Sequence, residues 1–216
     1  MTPENLVRTA TRPMPVPFVP EITLRTAADP YELWEQTGRE PPPFWAFPWA
    51  GGQGLARYVL DHPGAVAGKT VLDVASGSGL VAIAAAKAGA GQVIATDIDP
   101  SALAVIALNA DANNVTIGIG LLDLTAASPV TADVVLAADT FYDRGVAADT
   151  LAFARRARDG GAEVLISDPG RAFVPVEALT EIERYEVPVI KSLEDTGTKL
   201  VTVYRLDPRW GRPRSR

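Results

Sequence analysis

The chain has 216 residues and no cysteine. Disulfides, thiolate nucleophiles, cysteine-ligated zinc and iron–sulfur clusters are therefore excluded, and no thiol reports on the redox state of its compartment. Histidine is almost as scarce. The single one, His62, lies in the turn-forming run Asp61-His62-Pro63-Gly64 and reads as a loop residue rather than a catalytic base or metal ligand. Positive charge is in deficit, with 20 Lys and Arg against 26 Asp and Glu and a formal net charge of −6. Affinity for nucleic acid depends on clustered Lys and Arg, so no nucleic-acid partner is expected. The local exception is residues 208–216, where Arg209, Arg212, Arg214 and Arg216 lie among Pro and Gly; they read as a flexible basic tail. Long apolar runs are missing too. The most apolar stretch, Val71 to Ala90, is broken by Asp73, three glycines and Lys87, which excludes a membrane span. No positive segment followed by an apolar core opens the chain, so no signal peptide is expected, and the default is a cytoplasmic protein with no membrane partner.

What is present divides into zones. Residues 1–60 are rich in proline (Pro13, Pro15, Pro17, Pro20, Pro41, Pro42, Pro43, Pro48), which forbids long regular elements. The same zone holds Trp34, Phe44, Trp45, Phe47 and Trp49. Such aromatics predict an arm that packs on the domain and closes over a site. Residues 61–207 alternate strand and helix. Lys69 to Val74 predicts a strand entering a glycine turn, Leu80 to Ala88 a helix stopped by Gly89, Gln92 to Asp97 a second strand, and Pro100 to Asn109 a helix with Asp99 as its cap. Val115 to Leu122 and Asp133 to Ala138 predict two more strands, Val146 to Arg158 a helix, and Glu163 to Ser167 a fifth strand. After these, Val176 to Glu183 reads as a helix, and Tyr185 to Lys191 with Lys199 to Leu206 as an antiparallel hairpin. The expected fold is α/β and Rossmann-like: a seven-stranded, mostly parallel sheet with a C-terminal antiparallel hairpin and helices on both faces.

The chemistry concentrates at strand ends. Asp73-Val74-Ala75-Ser76-Gly77-Ser78-Gly79 joins a strand to a helix, where glycine allows close approach of a ligand and the helix start offers free N–H groups. Gly77, Gly79 and Ala82, with Asp97 about twenty residues on, also fit the dinucleotide fingerprint, so an NAD-binding oxidoreductase is an alternative. Asp73 argues for a different cofactor. A carboxylate beside a pyrophosphate repels it, whereas S-adenosyl-L-methionine carries no phosphate and offers an ammonium group there. Asp97 is placed to accept from two ribose hydroxyls, and Asp123, after the third strand, to accept from an adenine amino group. The fourth strand ends in Ala138-Asp139-Thr140-Phe141-Tyr142, which puts Asp139 and Tyr142 at the same crevice. A carboxylate beside an aromatic wall suits a lysine amine. A helix cap for Asp139 and core packing for Tyr142 are the structural alternatives.

Four segments carry a family resemblance: Pro41-Pro-Pro-Phe-Trp-Ala-Phe-Pro-Trp-Ala-Gly-Gly-Gln53, Val71-Leu-Asp-Val-Ala-Ser-Gly-Ser-Gly-Leu-Val-Ala-Ile-Ala84, Thr96-Asp-Ile-Asp-Pro100 and Asp139-Thr-Phe-Tyr142. From about Arg8 to Leu206 the chain resembles the bacterial relatives of the electron-transfer flavoprotein β-subunit lysine methyltransferase, of the seven-β-strand group with an Asp-x-x-Tyr motif after the fourth strand. The resemblance implies transfer of methyl groups from S-adenosyl-L-methionine to lysines, on the flavoprotein β subunit and on the ribosomal stalk protein as a further acceptor. It implies a cofactor site of Trp49, Asp73, Ser76, Gly77, Gly79, Asp97, Ile98, Asp123, Leu124 and Ala138, with Asp139 and Tyr142 bordering the lysine channel. Some relatives carry a nicotinamide N-methylase label, which keeps small-molecule amines open as acceptors. The chain departs from the family at Ala75, where glycine is usual. Glu194 and Asp195, in the hairpin loop, offer carboxylates to a basic segment or simply form an exposed turn.

Overall fold

Strand residues here are β-branched or small and apolar, and glycine or proline separates one run from the next, so short strands and tight connections follow. The computed structural model describes residues 2–29, 33–35, 38, 43–127, 130–189 and 196–210. Its first part comprises helix α1 (Pro3–Ala10), strands β1 (Arg12–Val16) and β2 (Val19–Thr26), a 3-10 turn at Phe44–Ala46 and helix α2 (Ala50–Asp61). Then come β3 (Thr70–Val74), α3 (Leu80–Lys87), β4 (Gln92–Asp97), α4 (Pro100–Ala112), β5 (Gly118–Leu121), β6 (Val134–Ala138), α5 (Arg144–Asp159), β7 (Glu163–Asp168), β8 (Leu179–Pro188) and β9 (Thr198–Leu206). Strands β1 and β2 form a separate antiparallel ribbon. The other seven form one sheet in the order β5-β4-β3-β6-β7-β9-β8. Strands β3 to β7 pair in parallel, while β9 runs antiparallel to both β7 and β8. This is the expected Rossmann-like α/β sheet with its terminal hairpin.

The period of two along each strand sorts the core into two layers. Val71, Val134, Leu136 and Leu165 pack with α2 and α3 on one face, where Leu55, Val59, Ile83 and Ala84 are buried. Val74, Val135, Ala137, Val164 and Ile166 pack with Phe153, Ala154 and Ala157 of α5 on the other. Chain order reverses between β3 and β6, so the crevice outside their carboxyl ends is the topological switch point where ligands of such sheets bind.

The proline-rich arm is ordered by packing rather than by local propensity. Trp45, Ala46 and Phe47 are buried with Val7 and Leu33 against Ala102 and Val105 of α4. Strand β2 has its outer backbone groups met by side-chain amides of α4. Asn109 Oδ1 accepts from Arg25 N at 2.8 Å and Asn113 Oδ1 from Thr23 N at 3.0 Å, and Asn113 Nδ2 donates to Thr23 O at 2.6 Å. Asn109 Nδ2 also donates to Ser78 O at 2.8 Å, so one buried amide ties the glycine loop to the arm.

Several boundaries differ from expectation. The helix expected over Val176 to Glu183 is instead a 3-10 turn at Val176–Ala178 followed by β8, which begins at Leu179. Apolar residues three apart (Val176, Leu179, Ile182) imitate a helical face. A bulge between Glu181 and Glu183 inserts an extra residue, which lets a strand carry that spacing. Strand β8 runs from Leu179 to Pro188; Ile190 and Lys191 of the expected strand lie outside the described residues. The third strand contracts from Val115–Leu122 to Gly118–Leu121, because its edge position and two glycines leave little to hold it. Helix α4 runs three residues further than expected, to Ala112, and α5 starts at Arg144 with Asp143 as its cap. Among the described residues no helix is long and apolar enough to cross a membrane. Glu194, Asp195, Arg212, Arg214 and Arg216 lie outside the described residues.

Candidate active site

A cleft of about 360 Å³ opens at the switch point, a volume suited to a nucleoside-sized ligand. Its floor is the Ala75–Ser78 loop, its far wall carries Asp97, Ile98, Leu122, Asp123 and Leu124, and its near wall Ala138, Asp139 and Tyr142. Phe44, Trp45, Phe47 and Trp49 of the arm cover it.

The loop turns sharply because Ala75, Gly77 and Gly79 all have positive φ, at 48°, 55° and 82°. Gly79 does not line the cleft. It starts α3, and a Cβ there would come within 3.3 Å of Ile106. Having no side chain, Gly79 cannot cap the helix, and Asp73 does so instead: its Oδ2 accepts from Ala82 N at 3.1 Å and from Ser76 Oγ. Burial raises the Asp73 carboxyl to about 7, against the lowering effect of those two donors; the nearby charge of Asp97 adds to the rise. Asp97 accepts from Gly77 N and Asp99 N, each at 2.9 Å, and burial again raises its pKa. Asp99 caps α4 through Ser101 N at 2.8 Å, as the sequence implied. Asp123 is at the cleft rim and exposed. Its Oδ1 accepts from Thr125 N and Thr125 Oγ1, which lowers its pKa. Ile98 is 65 % exposed, an apolar side chain of that size held at a cleft edge.

Asp139 is the most constrained side chain of the site. Its backbone has φ 56°, a region that non-glycine residues rarely occupy. The carboxylate sits at the N-terminus of α2, whose own cap residue, Trp49, makes no side-chain cap bond. Oδ2 accepts from Gly51 N and, at 3.3 Å, from Gly52 N; Oδ1 accepts from Arg171 Nε at 2.9 Å, with the second guanidinium nitrogen at 2.8 Å. Burial raises its pKa, opposed first by the charge of Arg171. Gly51 has to be glycine, because a Cβ would lie 2.5 Å from Asp139 Oδ2. The aromatic cover is bonded together as well. Trp49 Nε1 donates to Phe44 O at 2.8 Å, and the Phe44 ring is 5.9 Å from Trp49 and 5.1 Å from Tyr142. Tyr142 is 43 % exposed, so core packing does not account for it.

The cleft thus brings together Trp49, Asp73, Ser76, Gly77, Asp97, Ile98, Asp123, Leu124, Ala138, Asp139 and Tyr142. Sequence reasoning missed Arg171, which lies three residues beyond the end of β7. The rule that ligands sit outside the carboxyl ends of strands would have pointed there. It missed as well that Gly51 and Gly52 bind Asp139.

Fold and cleft together define a methyltransferase of the S-adenosylmethionine-dependent class, and the comparisons agree. The Ribosomal protein L11 methyltransferase family matches residues 58–138. The magnesium protoporphyrin IX methyltransferase from Synechocystis PCC 6803, solved with bound SAM, superposes with a TM-score of 0.53 at 15 % identity, over 72 % of this chain and 79 % of that one; at that identity the likeness is of fold. The electron transfer flavoprotein beta subunit lysine methyltransferase of Xenopus laevis is 35 % identical over 95 % of this chain and 87 % of its own length. Its Homo sapiens counterpart is 34 % identical over 88 % and 76 %. The chain belongs to the electron transfer flavoprotein beta subunit lysine methyltransferase family.

The left-handed backbone at Ala75 explains why glycine suits that position, and it sets a test. Ala75→Gly removes a Cβ from a strained conformation, at the cost of a more flexible unfolded chain. The variant should gain about 0.5–1 kcal/mol and melt about 1–4 °C higher. Calorimetry checks this, and a lower melting temperature would contradict it.

Proposed function

We propose that this chain transfers methyl groups from S-adenosyl-L-methionine to lysine side chains of the electron transfer flavoprotein β subunit. The names of its relatives support that acceptor. They give no such support to the ribosomal stalk protein, and no observation favours nicotinamide or an NAD-dependent reaction. We take residues 1–60 as an arm over the cofactor and 61–207 as the catalytic core.

The residues fit the cofactor. A buried carboxyl held near neutrality by its surroundings, Asp73, is a receiver for an ammonium group. Asp97 is oriented by two backbone N–H groups and keeps lone pairs for hydroxyls. The apolar side chains of Ile98, Leu122 and Leu124 line the same wall and suit a base. We assign Asp73, Ser76 and Gly77 to the methionine end, Asp97 to the ribose, Ile98, Asp123 and Leu124 to the base, and Trp49 and Ala138 to the sulfonium end. When bound, the cofactor supplies an electrophilic methyl group on a sulfonium. What the chain adds is placement: Tyr142, Phe44 and Trp49 form an apolar passage that strips water from an incoming amine, and Asp139 anchors that passage to the sheet. Positioning of this kind accounts for most of the rate where no proton relay is at hand.

The observation that carries the reading is the aromatic cover joined to Asp139 beside the glycine loop. Recombinant flavoprotein β subunit, incubated with the enzyme and cofactor, should gain mass in steps of one methyl group on lysine. No incorporation, with methylation of free nicotinamide instead, would overturn the proposal.

The raised pKa of Asp73 sets the pH dependence of cofactor binding. Below about 7 the carboxyl is protonated and offers no charge to the ammonium group; above it the charge is present. Affinity should be full above that value and fall as pH drops, approaching about tenfold per unit, with proton release on binding near neutrality. Calorimetry in buffers of different ionisation enthalpy measures both, and an affinity flat with pH would refute the assignment.

A further inference from the structure

Six carboxylates line the cleft (Asp73, Asp97, Asp99, Asp123, Asp139 and Asp149), and among the described residues one cation does, Arg171. Asp73, Asp97 and Asp123 belong to the cofactor end in the assignment above. Asp139 is different: it stands at the aromatic passage, where an acceptor amine has to lose its proton before it can attack a methyl group. A bare carboxylate there would hold the amine as ammonium, which is unreactive, because opposite charge nearby favours the protonated form.

The Asp139 carboxylate is paired with Arg171. Its guanidinium makes two contacts with Asp139 Oδ1, at 2.9 and 2.8 Å, and lies 5.9 Å from the centre of the Trp49 ring. The other carboxylate oxygen is taken by Gly51 N and Gly52 N. A second acid, Asp168 at the end of β7, is fully buried. Its Oδ1 accepts from Gly170 N at 2.7 Å and Arg171 N at 2.6 Å, which fixes the backbone of the arginine; its Oδ2 has no hydrogen-bond partner among the described residues. Asp168 does not line the cleft, whereas Arg171 does. At the cleft wall the guanidinium therefore pairs with the Asp139 carboxylate, while Asp168, which does not reach the cleft, holds the backbone of the same arginine. Tyr142 adds no charge, Asp143 is turned to the start of α5, where it accepts from Gly145 N and Val146 N, and Asp149 approaches the cleft from the same helix.

We infer that Arg171 is a specificity-determining residue that masks the Asp139 and Asp168 charges, so that the acceptor passage favours a neutral amine over a cationic head group. The inference rests on the lysine-methyltransferase reading for its meaning, and its test is independent of turnover. Choline and its uncharged isostere 3,3-dimethyl-1-butanol share one shape and differ in charge. Their affinities, measured by NMR with the cofactor end filled by S-adenosylhomocysteine, give a ratio that reports the charge of the passage. Arg171→Gln should raise the preference for choline by at least about tenfold, since an unscreened charge at contact range in a half-buried site acts strongly. The double variant Asp139→Asn with Arg171→Gln should show a clearly smaller rise, because one carboxylate leaves with its screen. Asp139→Asn alone, a substitution that a left-handed backbone tolerates, should lower the ratio below that of the unaltered protein. It serves if Arg171→Gln does not fold. An unchanged ratio in Arg171→Gln, an equal rise in the double variant, or no fall in Asp139→Asn would overturn the inference. Failure to methylate the flavoprotein, with the ratios as expected, would count against the lysine-methyltransferase reading and not against the masking role.

Discussion

The site depends on one contact between a strand end and a helix start. Asp139, one residue past β6, places its carboxylate at the N-terminus of α2 and takes the amides of Gly51 and Gly52, which the helix itself cannot satisfy. Helix α2 follows directly on Trp49, so fixing its first turn fixes the aromatic cover of the cleft. Ser167 reinforces the joint, with its Oγ donating to Gly51 O at 2.7 Å and its carbonyl accepting from Asp139 N at 3.0 Å. Arg171 completes the charge balance. The pair is partly buried, so each partner offsets a charge that the other would leave uncompensated at the cleft wall.

The same device recurs at the cofactor end. Helix α3 begins at a glycine that cannot cap it, and Asp73 at the end of β3 supplies the cap through Ala82 N. In both places a carboxylate leaves solvent to satisfy a helix start, and burial raises its pKa. At Asp73 the group that caps the helix is also the one proposed above to receive the cofactor's ammonium group. A pyrophosphate would meet this set of acids unfavourably; a sulfonium with an ammonium group would not.

Much of this is legible in the sequence, and the parts that are not have physical reasons. The parallel core follows from short apolar strands alternating with helices, and the strand-end acids lie where that topology requires. The packing of Trp45 and Phe47 was foreshadowed by the aromatics of the arm, although Trp34 stays exposed. The helix expected at Val176 to Glu183 failed because a bulge gives a strand three-residue spacing, and a bulge leaves no local mark in the residues. The β1–β2 ribbon was not foreseen, since proline masks its alternation and its hydrogen-bond partners, Asn109 and Asn113, are more than eighty residues away. Arg171 was missed for a related reason: its role exists only once β6 and β7 are neighbours. At Ala75 only the backbone angle, φ 48°, says what an alanine costs there.

The central claim is that the Asp139 carboxylate holds the arm onto the cleft. Hydrogen exchange in Asp139→Gly, which keeps the left-handed backbone and removes the carboxylate, tests it most directly. The amides of Gly51 and Gly52 should lose protection together with the Trp49 segment, while those of β3 and β6 keep theirs. Unchanged protection at Gly51 and Gly52 would contradict the account.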